Sequence, residues 1–275
     1  DAAGGPIFPD DYSVEAPPEN YWTNDEFSML ANMGVEIPGL RAPQQALDYV
    51  DRWIENHAGN RKVVSITLRE SGHDSKRNSN LPVWVEFAKR LDPEIYFPVF
   101  LSDMDRIFES AREDLAGFAT FNEAVANLIL RCAFYERCYI TMMVTQGPST
   151  MCYMDGAIRY IIVKSTPPEL YGSYPPYPIS IGLDVGEPWP HATIYQRRVE
   201  EPESLDLLES EFHRMVGLIE SDPDNALGRQ RMCRDDAGPE NIARISRLYG
   251  LLPFMSRAVI ICQKYLDRNP GELSV

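Results

Sequence analysis

The chain has 275 residues, of which 44% are hydrophobic, and its formal net charge is −15. This length and apolar content suffice for one large domain or two small ones. The acidic balance argues against a nucleic-acid partner, which would need clustered Lys and Arg. The longest apolar runs stay well short of the ~20 residues that a membrane span needs.

Residues 1–42 are predicted to form an extended linker, because Pro, Gly and acidic residues dominate the first part of this stretch. One short helical piece is expected near Asn24–Met33. The chain opens with no basic, apolar leader, and its five cysteines are odd in number and form no C-x-x-C motif. We therefore expect reduced thiols, no zinc site and a cytoplasmic protein.

Apolar residues recur at helical spacing from Pro43 to about Gly59, which predicts the first long helix. The stretch Val63–Asn80 (VVSITLRESGHDSKRNSN) then starts as an apolar, β-branched run and continues as a polar loop. The segment that follows, Leu81–Leu91, has an amphipathic helical pattern. A strand, a loop and a helix in this order place the loop at the carboxyl edge of a parallel sheet, where open α/β sheets bind ligands.

Arg69 and Arg77 lie in this loop and are candidates for holding an anionic ligand. The start of the next helix, which Ser79 or Asn80 is expected to cap, favours the same charge. The competing interpretation is that both arginines form surface ion pairs with the many acidic residues of the chain.

The rest of the chain continues to alternate strands with helices. Pro98 argues against a central position for the strand that contains it, unless a bulge accommodates the missing donor. The predicted strands are Ile95–Leu101, Ala119–Phe121, Tyr139–Val144 and Arg159–Val163. The predicted helices are Asn122–Arg137, Thr150–Asp155, Leu205–Ile219 and a last pair within Asn241–Asp267. Residues 165–190 contain too much Pro and Gly for regular elements and are predicted to form a long loop.

This alternation predicts an α/β fold with a Rossmann-like parallel sheet flanked by helices and right-handed crossovers. We assign residues 43–220 to this α/β domain and residues 221–275 to a helical C-terminal extension. In a parallel sheet, three polar groups should converge. They are the arginine loop, the strand end at Ser102–Asp105 and the turn Thr145–Ser149 (TQGPS).

The turn brings Gly147, Pro148 and Ser149 to a helix start, where backbone N–H groups at Gly147–Thr150 can hold a phosphate or a sugar hydroxyl. A plain tight turn explains the same residues. On the helix Asn122–Arg137, Asn127 and Arg131 share a face and either point into the cleft or pair internally, Arg131 with Glu123 or Glu136.

His73 is the candidate general base, because it lies in the arginine loop and titrates near neutral pH. Glu70, Asp74 and Asp103 are the alternatives. The sequence has no P-loop, G-x-G-x-x-G, G-x-S-x-G or H-E-x-x-H motif. Kinase-like, Rossmann dehydrogenase, hydrolase and zincin activities are therefore excluded.

Four segments together resemble a family of largely uncharacterised bacterial proteins that are similar to GT-B-type glycosyltransferases. The segments are ITLRES…KRNSNLPVWVEFAKRL, PVFLSD, NLILRCAFYERCY and MMVTQGPSTMCYM. The resemblance covers roughly Gly39–Ile219 and corresponds to the half that binds a nucleotide sugar. The positions that match its motifs are Arg69, Arg77, Asn78, Ser79, Asn127, Arg131, Glu136, Gly147 and Pro148. Thr145–Gln146 departs from it, since the family more often has Asn-Asn there.

The resemblance implies a metal-independent transferase that moves a sugar from a nucleotide-diphosphate donor to a glycan or another hydroxyl acceptor, without a cofactor. In distantly similar fucosyltransferase-like proteins, an arginine at a strand end binds the donor diphosphate. Only about 60 residues precede the central strand, so we expect the upstream α/β half of such enzymes to be missing. The alternative is a non-catalytic interaction module, whose partner docks through the C-terminal helices or supplies the missing domain.

Overall fold

The computed structural model describes residues 39–72, 75–106, 112–165, 188–189 and 192–225. Several predictions therefore lie outside the described residues: the helical piece near Asn24–Met33, most of the 165–190 loop and the helices within Asn241–Asp267. The domain boundaries assigned from the sequence stay predictions.

Six parallel strands form one sheet in the order β3-β2-β1-β4-β5-β6. The strands are β1 Lys62–Thr67, β2 Tyr96–Leu101, β3 Ala119–Thr120, β4 Ile140–Val144, β5 Tyr160–Val163 and β6 Gln196–Arg198. This is the strand order of the Rossmann fold, in which the chain builds outwards from β1 and then returns to build on its other side. The predicted fold class is confirmed.

Six α-helices and three single-turn 3₁₀ helices (Ser75–Arg77, Met104–Arg106 and Glu113–Leu115) complete the described part of the chain. The α-helices are α1 Gln44–His57, α2 Leu81–Arg90, α3 Asn122–Ala126, α4 Leu128–Arg137, α5 Ser149–Tyr153 and α6 Leu205–Glu220. None of the helices in the described ranges is long and apolar enough to cross a membrane. The helices flank both faces of the sheet, as doubly wound folds require.

Two hydrophobic cores lie on opposite faces of the sheet. Val63 packs with α1, α3 and α4, whereas its neighbours Val64 and Ile66 pack with α2 and α6. Trp84 and Phe212 are almost fully buried in the second core. A strand covered on both faces needs apolar residues at nearly every position, which is why β1 appears in the sequence as a continuous apolar run.

The predicted single helix Asn122–Arg137 is wrong, because the chain breaks at Asn127 into α3 and α4. The Asn127 side chain accepts hydrogen bonds from the N–H groups of Ile129 at 2.9 Å and Leu130 at 3.2 Å. Asn competes in this way with helical backbone bonding and is a preferred N-cap.

Pro98 does not move β2 to the edge of the sheet, so this expectation is also wrong. The carbonyls of Ile95 and Leu101 accept backbone hydrogen bonds from Lys62 of β1 and from Leu68 just after it, which places the missing donor of Pro98 on the opposite side of β2. There, β3 pairs only with Val99 and Phe100. Pro98 therefore lies before the residues of β2 that pair with β3, and its missing N–H removes no hydrogen bond between these two strands.

Sequence analysis missed β6, a three-residue strand of polar residues. Gln196 of β6 is buried, and its side-chain Nε2 donates to the carbonyl oxygens of Asp155 at 2.8 Å and Ile158 at 3.2 Å. These hydrogen bonds satisfy the buried amide of Gln196. A buried polar residue of this kind gives no signal in the hydrophobic periodicity of the sequence.

A buried carboxylate, Glu211 of α6, links this helix to β6. Arg197 donates to both Glu211 oxygens, at 3.1 and 3.2 Å, and Arg214 donates at 3.0 Å. Burial alone would raise the pKa of Glu211, but these bonds outweigh it and lower the pKa below its usual value. A carboxylate with a depressed pKa stabilises the fold above its unfolded-state pKa, and this contribution is lost as the pH falls through the folded-state pKa.

We therefore expect Glu211→Gln to lower the free energy of unfolding by about 1–2 kcal/mol near neutral pH. The difference in stability between the variant and the wild type should shrink as the pH falls through the depressed folded-state pKa of Glu211, because the wild-type carboxyl then becomes protonated as well. Urea unfolding of both proteins, from neutral to acidic pH, measures this difference in the free energy of unfolding. Glu86→Gln, which removes an exposed pair with Arg90, should cost less than about 0.5 kcal/mol. A pH-independent effect of Glu211→Gln would contradict the assignment.

Candidate functional site

A cleft of about 530 Å³ opens at the carboxyl ends of β1, β2 and β4. The strand order of the sheet reverses between β1 and β4, and the cleft lies at this switch point. Open α/β sheets bind their ligands there. Its polar lining comprises Thr67, Arg69, Ser102, Asp103, Arg131 and Gln146. Its apolar lining includes Leu68, Met104, Val125, Leu128, Pro148 and Met151. The volume suits a small organic ligand.

The three polar groups that were predicted to converge do meet at this cleft. Its lining includes Arg69 of the arginine loop, Ser102 and Asp103 at the end of β2, and Gly147 and Pro148 of the TQGPS turn. The arginine follows the end of β1 directly. Its side-chain Nε is buried and has no hydrogen-bond partner among the described residues. A buried guanidinium N–H without a partner carries a desolvation cost that an anionic ligand would relieve.

The predicted ligand-binding residues Asn78 and Ser79 instead hold the arginine loop in shape. Ser79 accepts a hydrogen bond from the Arg69 N–H at 2.9 Å and returns one from its own N–H to the Arg69 carbonyl at 2.9 Å. The Asn78 side chain likewise bonds both backbone groups of Ser71, at 3.0 and 2.9 Å. These bonds fix the backbone of Arg69 beside the cleft.

The expected capping of α2 is wrong in the same region. Asn80 occupies the N-cap position and makes no side-chain capping bond, and the Ser79 hydroxyl is used by Arg69. Arg77 is half-buried on the short turn Ser75–Arg77 and is not one of the residues that line the cleft.

Of the candidate bases, His73 and Asp74 lie outside the described residues, whereas Asp103 lies in the cleft. Asp103 Oδ2 accepts the N–H of Glu70 at 3.0 Å, and Oδ1 accepts the N–H of Met104 at 2.7 Å. Its carboxylate is thus held in a fixed orientation at the end of β2.

Glu70 is enclosed by arginines. Its carboxylate accepts hydrogen bonds from both terminal nitrogens of Arg112, at 2.8 and 2.9 Å, and from Arg106 at 2.8 Å. The side chains of Glu70 and Arg112 are only 10% and 8% exposed. Arg112 also donates to the Ser102 hydroxyl at 3.0 Å. Glu70 therefore joins the ends of β1 and β2, and its oxygens are committed to this ion cluster.

Hydrogen bonds hold the TQGPS turn in place. Gln146 donates from Nε2 to the Thr67 carbonyl at 3.0 Å, which ties the turn to the end of β1. The N–H groups of Ser149 and Thr150 donate to the carbonyls of Gln146 and Gly147 at 3.0 and 3.1 Å. Two of the N–H groups predicted to hold a phosphate, those of Ser149 and Thr150, are therefore engaged within the turn. Ser149 itself is buried, and its hydroxyl donates to the Gln146 carbonyl.

Arg131 contributes a second guanidinium to the cleft and is 5% exposed. Neither predicted ion pair explains its position. Its Nε and Nη2 donate to the carbonyls of Ala124 at 2.9 Å and Val125 at 3.3 Å. Those carbonyls lie near the end of α3, so Arg131 supplies hydrogen-bond donors to the carboxyl end of this helix. Asn127 caps the start of α4 on the other side of the same break. Asn127 is exposed and acts as a cap, not as part of the cleft lining.

Comparisons with known proteins are distant. No family model and no curated protein matches the sequence. Among solved structures, the chain is similar to the glycosyl transferase family 9 protein from Veillonella parvula (TM-score 0.37, 46% of this chain and 37% of that one). It is also similar to E. coli ADP-heptose lps heptosyltransferase II (TM-score 0.43, 66% and 54%) and to the Wall Teichoic Acid Polymerase TagF (TM-score 0.36, 89% and 51%).

Sequence identity is 12% in each case, and the chain spans about half the length of these proteins or less. The class of protein therefore rests on the strand order and the cleft. They define a Rossmann-like α/β domain with a ligand cleft at its switch point.

We expect Glu70→Gln to lower the free energy of unfolding by about 3 kcal/mol, because it leaves the buried Arg112 without its full counter-charge. Thermal or urea unfolding measures this, and Glu86→Gln on an exposed pair again serves as the control. A stability within about 0.5 kcal/mol of wild type would show that the cluster does not hold the strand ends.

Proposed function

We propose that this chain is the donor-binding half of a GT-B-like glycosyltransferase and binds a nucleotide-diphosphate sugar in the switch-point cleft. The observation that carries the proposal is the buried Nε of Arg69, a residue that lines this cleft and whose Nε has no hydrogen-bond partner among the described residues. The motif resemblance described above supports a diphosphate as the anion.

Charge favours an anionic ligand in this cleft even though the chain as a whole carries −15. Arg69 and Arg131 are both present in the lining, and Asp103 is the only acidic residue among the described lining residues. A concave site with low-dielectric walls concentrates the field of a few charges. The arginines therefore create a local positive region within an acidic protein.

The two walls of the cleft suit the two parts of such a donor. The diphosphate would pair with the guanidinium groups, which match phosphate oxygens in geometry. The nucleoside would pack against apolar side chains such as Met104, Leu128 and Met151. Mixed walls of this kind, mostly apolar with a few placed polar groups, are typical of small-molecule sites.

In the transfer step, the bond between the sugar anomeric carbon and the donor phosphate oxygen breaks, and a bond to the acceptor oxygen forms. Arg69 and Arg131 would stabilise the charge that develops on the leaving nucleoside diphosphate. Asp103 would accept the proton of the acceptor hydroxyl. Glu70 is left out of this role because it does not line the cleft and both of its oxygens pair with Arg106 and Arg112. Each Asp103 oxygen accepts only one backbone N–H.

A non-catalytic interaction module is the second candidate, and exposed apolar side chains favour it. Leu128, Ile129 and Met104 are 64%, 55% and 51% exposed. Leu128 and Met104 line the cleft, and Ile129 adjoins Leu128. A binding module should instead present its apolar patch away from the cleft. Leu40, 52% exposed, lies away from it, but the buried Arg69 Nε without a partner among the described residues favours the enzyme.

Calorimetric titration with GDP, UDP, ADP and CMP tests the proposal. We expect one diphosphate to bind and Arg69→Ala to weaken its binding at least about tenfold, the scale of one lost charge-assisted contact. CMP, which has a single phosphate, should bind more weakly. Arg90→Ala, which removes an exposed arginine on α2, should leave the affinity unchanged.

Thermal unfolding must first show that Arg69→Ala is folded, because an unfolded variant would lose its nucleotide affinity whatever the role of Arg69. An unchanged affinity in a folded Arg69→Ala variant, or binding of none of the four nucleotides, would contradict the proposed donor site.

A further inference from the structure

Three metal-ligating side chains meet away from the cleft. Cys132 and Glu136 lie one turn apart on α4, and Asp155 follows α5. One ligand atom of each, the Cys132 sulfur and a carboxylate oxygen from each acid, lies within 4.8 Å of the other two. Cys132 is 7% exposed, the Glu136 side chain 8% and the Asp155 side chain 0%.

One oxygen of Asp155 has no hydrogen-bond partner in the part of the chain that the structure describes. Its Oδ1 accepts from the Ala157 N–H at 2.9 Å and from Arg41 at 2.9 Å. Its Oδ2 is buried and receives no hydrogen bond from any described residue. Arg41 contacts both carboxylates, Asp155 at 2.9 Å and Glu136 at 3.8 Å, and so offsets one of their two negative charges. Burying the second charge is costly unless a further cation or a proton accompanies it.

The charges of the cluster balance with a divalent cation. Glu136, Asp155 and a Cys132 thiolate would contribute three negative charges, whereas Arg41 contributes one positive charge. The Arg41 side chain is 58% exposed and so contributes its charge from the surface. A bound metal would hold the Cys132 sulfur as the thiolate.

We propose that Cys132, Glu136 and Asp155 bind one divalent cation of the zinc class. Zinc accepts thiolate and carboxylate ligands, whereas a thiolate disfavours magnesium and calcium. The spacing of Cys132 and Glu136 presents both donors on one helix face. This proposal reverses the expectation, drawn from the missing C-x-x-C motif, that the chain has no zinc site.

The site is structural and separate from the proposed donor cleft. Glu136 borders a cavity at the amino ends of β1 and β4, the opposite end of the sheet from the cleft. Residues 39–42 are held to the same cluster. The Leu40 N–H donates to the Met154 carbonyl at 2.8 Å, and the Ala42 N–H donates to Glu136 at 2.6 Å. A metal would therefore join this segment, α4 and the turn before β5.

Zinc titration of the full chain in competition with a chromophoric chelator tests the proposal. We expect one zinc per chain and an affinity at least about tenfold lower in Cys132→Ser, since even outer-sphere changes at metal sites cost that much. The matched control is Cys138→Ser, which changes another buried cysteine close to the end of α4 and should bind zinc as wild type does.

Cobalt spectroscopy on the wild type decides the question even if Cys132→Ser fails to fold. Cobalt bound by the Cys132 thiolate gives a thiolate-to-metal charge-transfer band, which a site made of carboxylates alone does not give. No zinc that resists the chelator, or cobalt binding without this band, would overturn the proposal. The Glu136–Asp155 contact would then be satisfied by a shared proton.

Discussion

The reversal of strand order between β1 and β4 is the constraint on which the rest of the structure depends. The chain after β1 turns to one side of the sheet and the chain after β4 turns to the other, so neither connection covers the strand ends between them. The crevice left there collects Arg69 from one side and the Gly147–Pro148 turn from the other. Gln146 bridges the two sides through the Thr67 carbonyl, which fixes the width of the opening.

Most of the polar residues around this crevice position other groups and do not line it. Asn78 and Ser79 shape the arginine loop, Glu70 joins the ends of β1 and β2 through Arg112, and Asn127 caps α4. Each satisfies backbone or charged groups that a loop at a sheet edge would otherwise leave unpaired. The Arg69 Nε can then be left without a partner among the described residues, because its surroundings are held by other bonds.

The sequence predicted the sheet and its ligand edge well, because β1, β2, β4 and β5 are apolar runs and the intervening helices are amphipathic. It could not predict β6, whose buried Gln196 is stabilised by hydrogen bonds to carbonyls from another part of the chain. It also treated Asn127 as a ligand residue, since local spacing does not show that a helix breaks there. The Cys132, Glu136 and Asp155 cluster escaped notice because the last residue joins the others only after the chain has formed β4 and α5.

The most direct test of the donor site is an NMR measurement of the Arg69 side-chain Nε–H resonance during titration with the nucleoside diphosphate that binds best. The resonance is assigned from its absence in Arg69→Lys. A phosphate oxygen that accepts this N–H should shift it strongly, while the Nε–H of the exposed Arg90 stays in place. An Arg69 resonance that does not move at saturating ligand would contradict the account, because the nucleotide would then bind elsewhere.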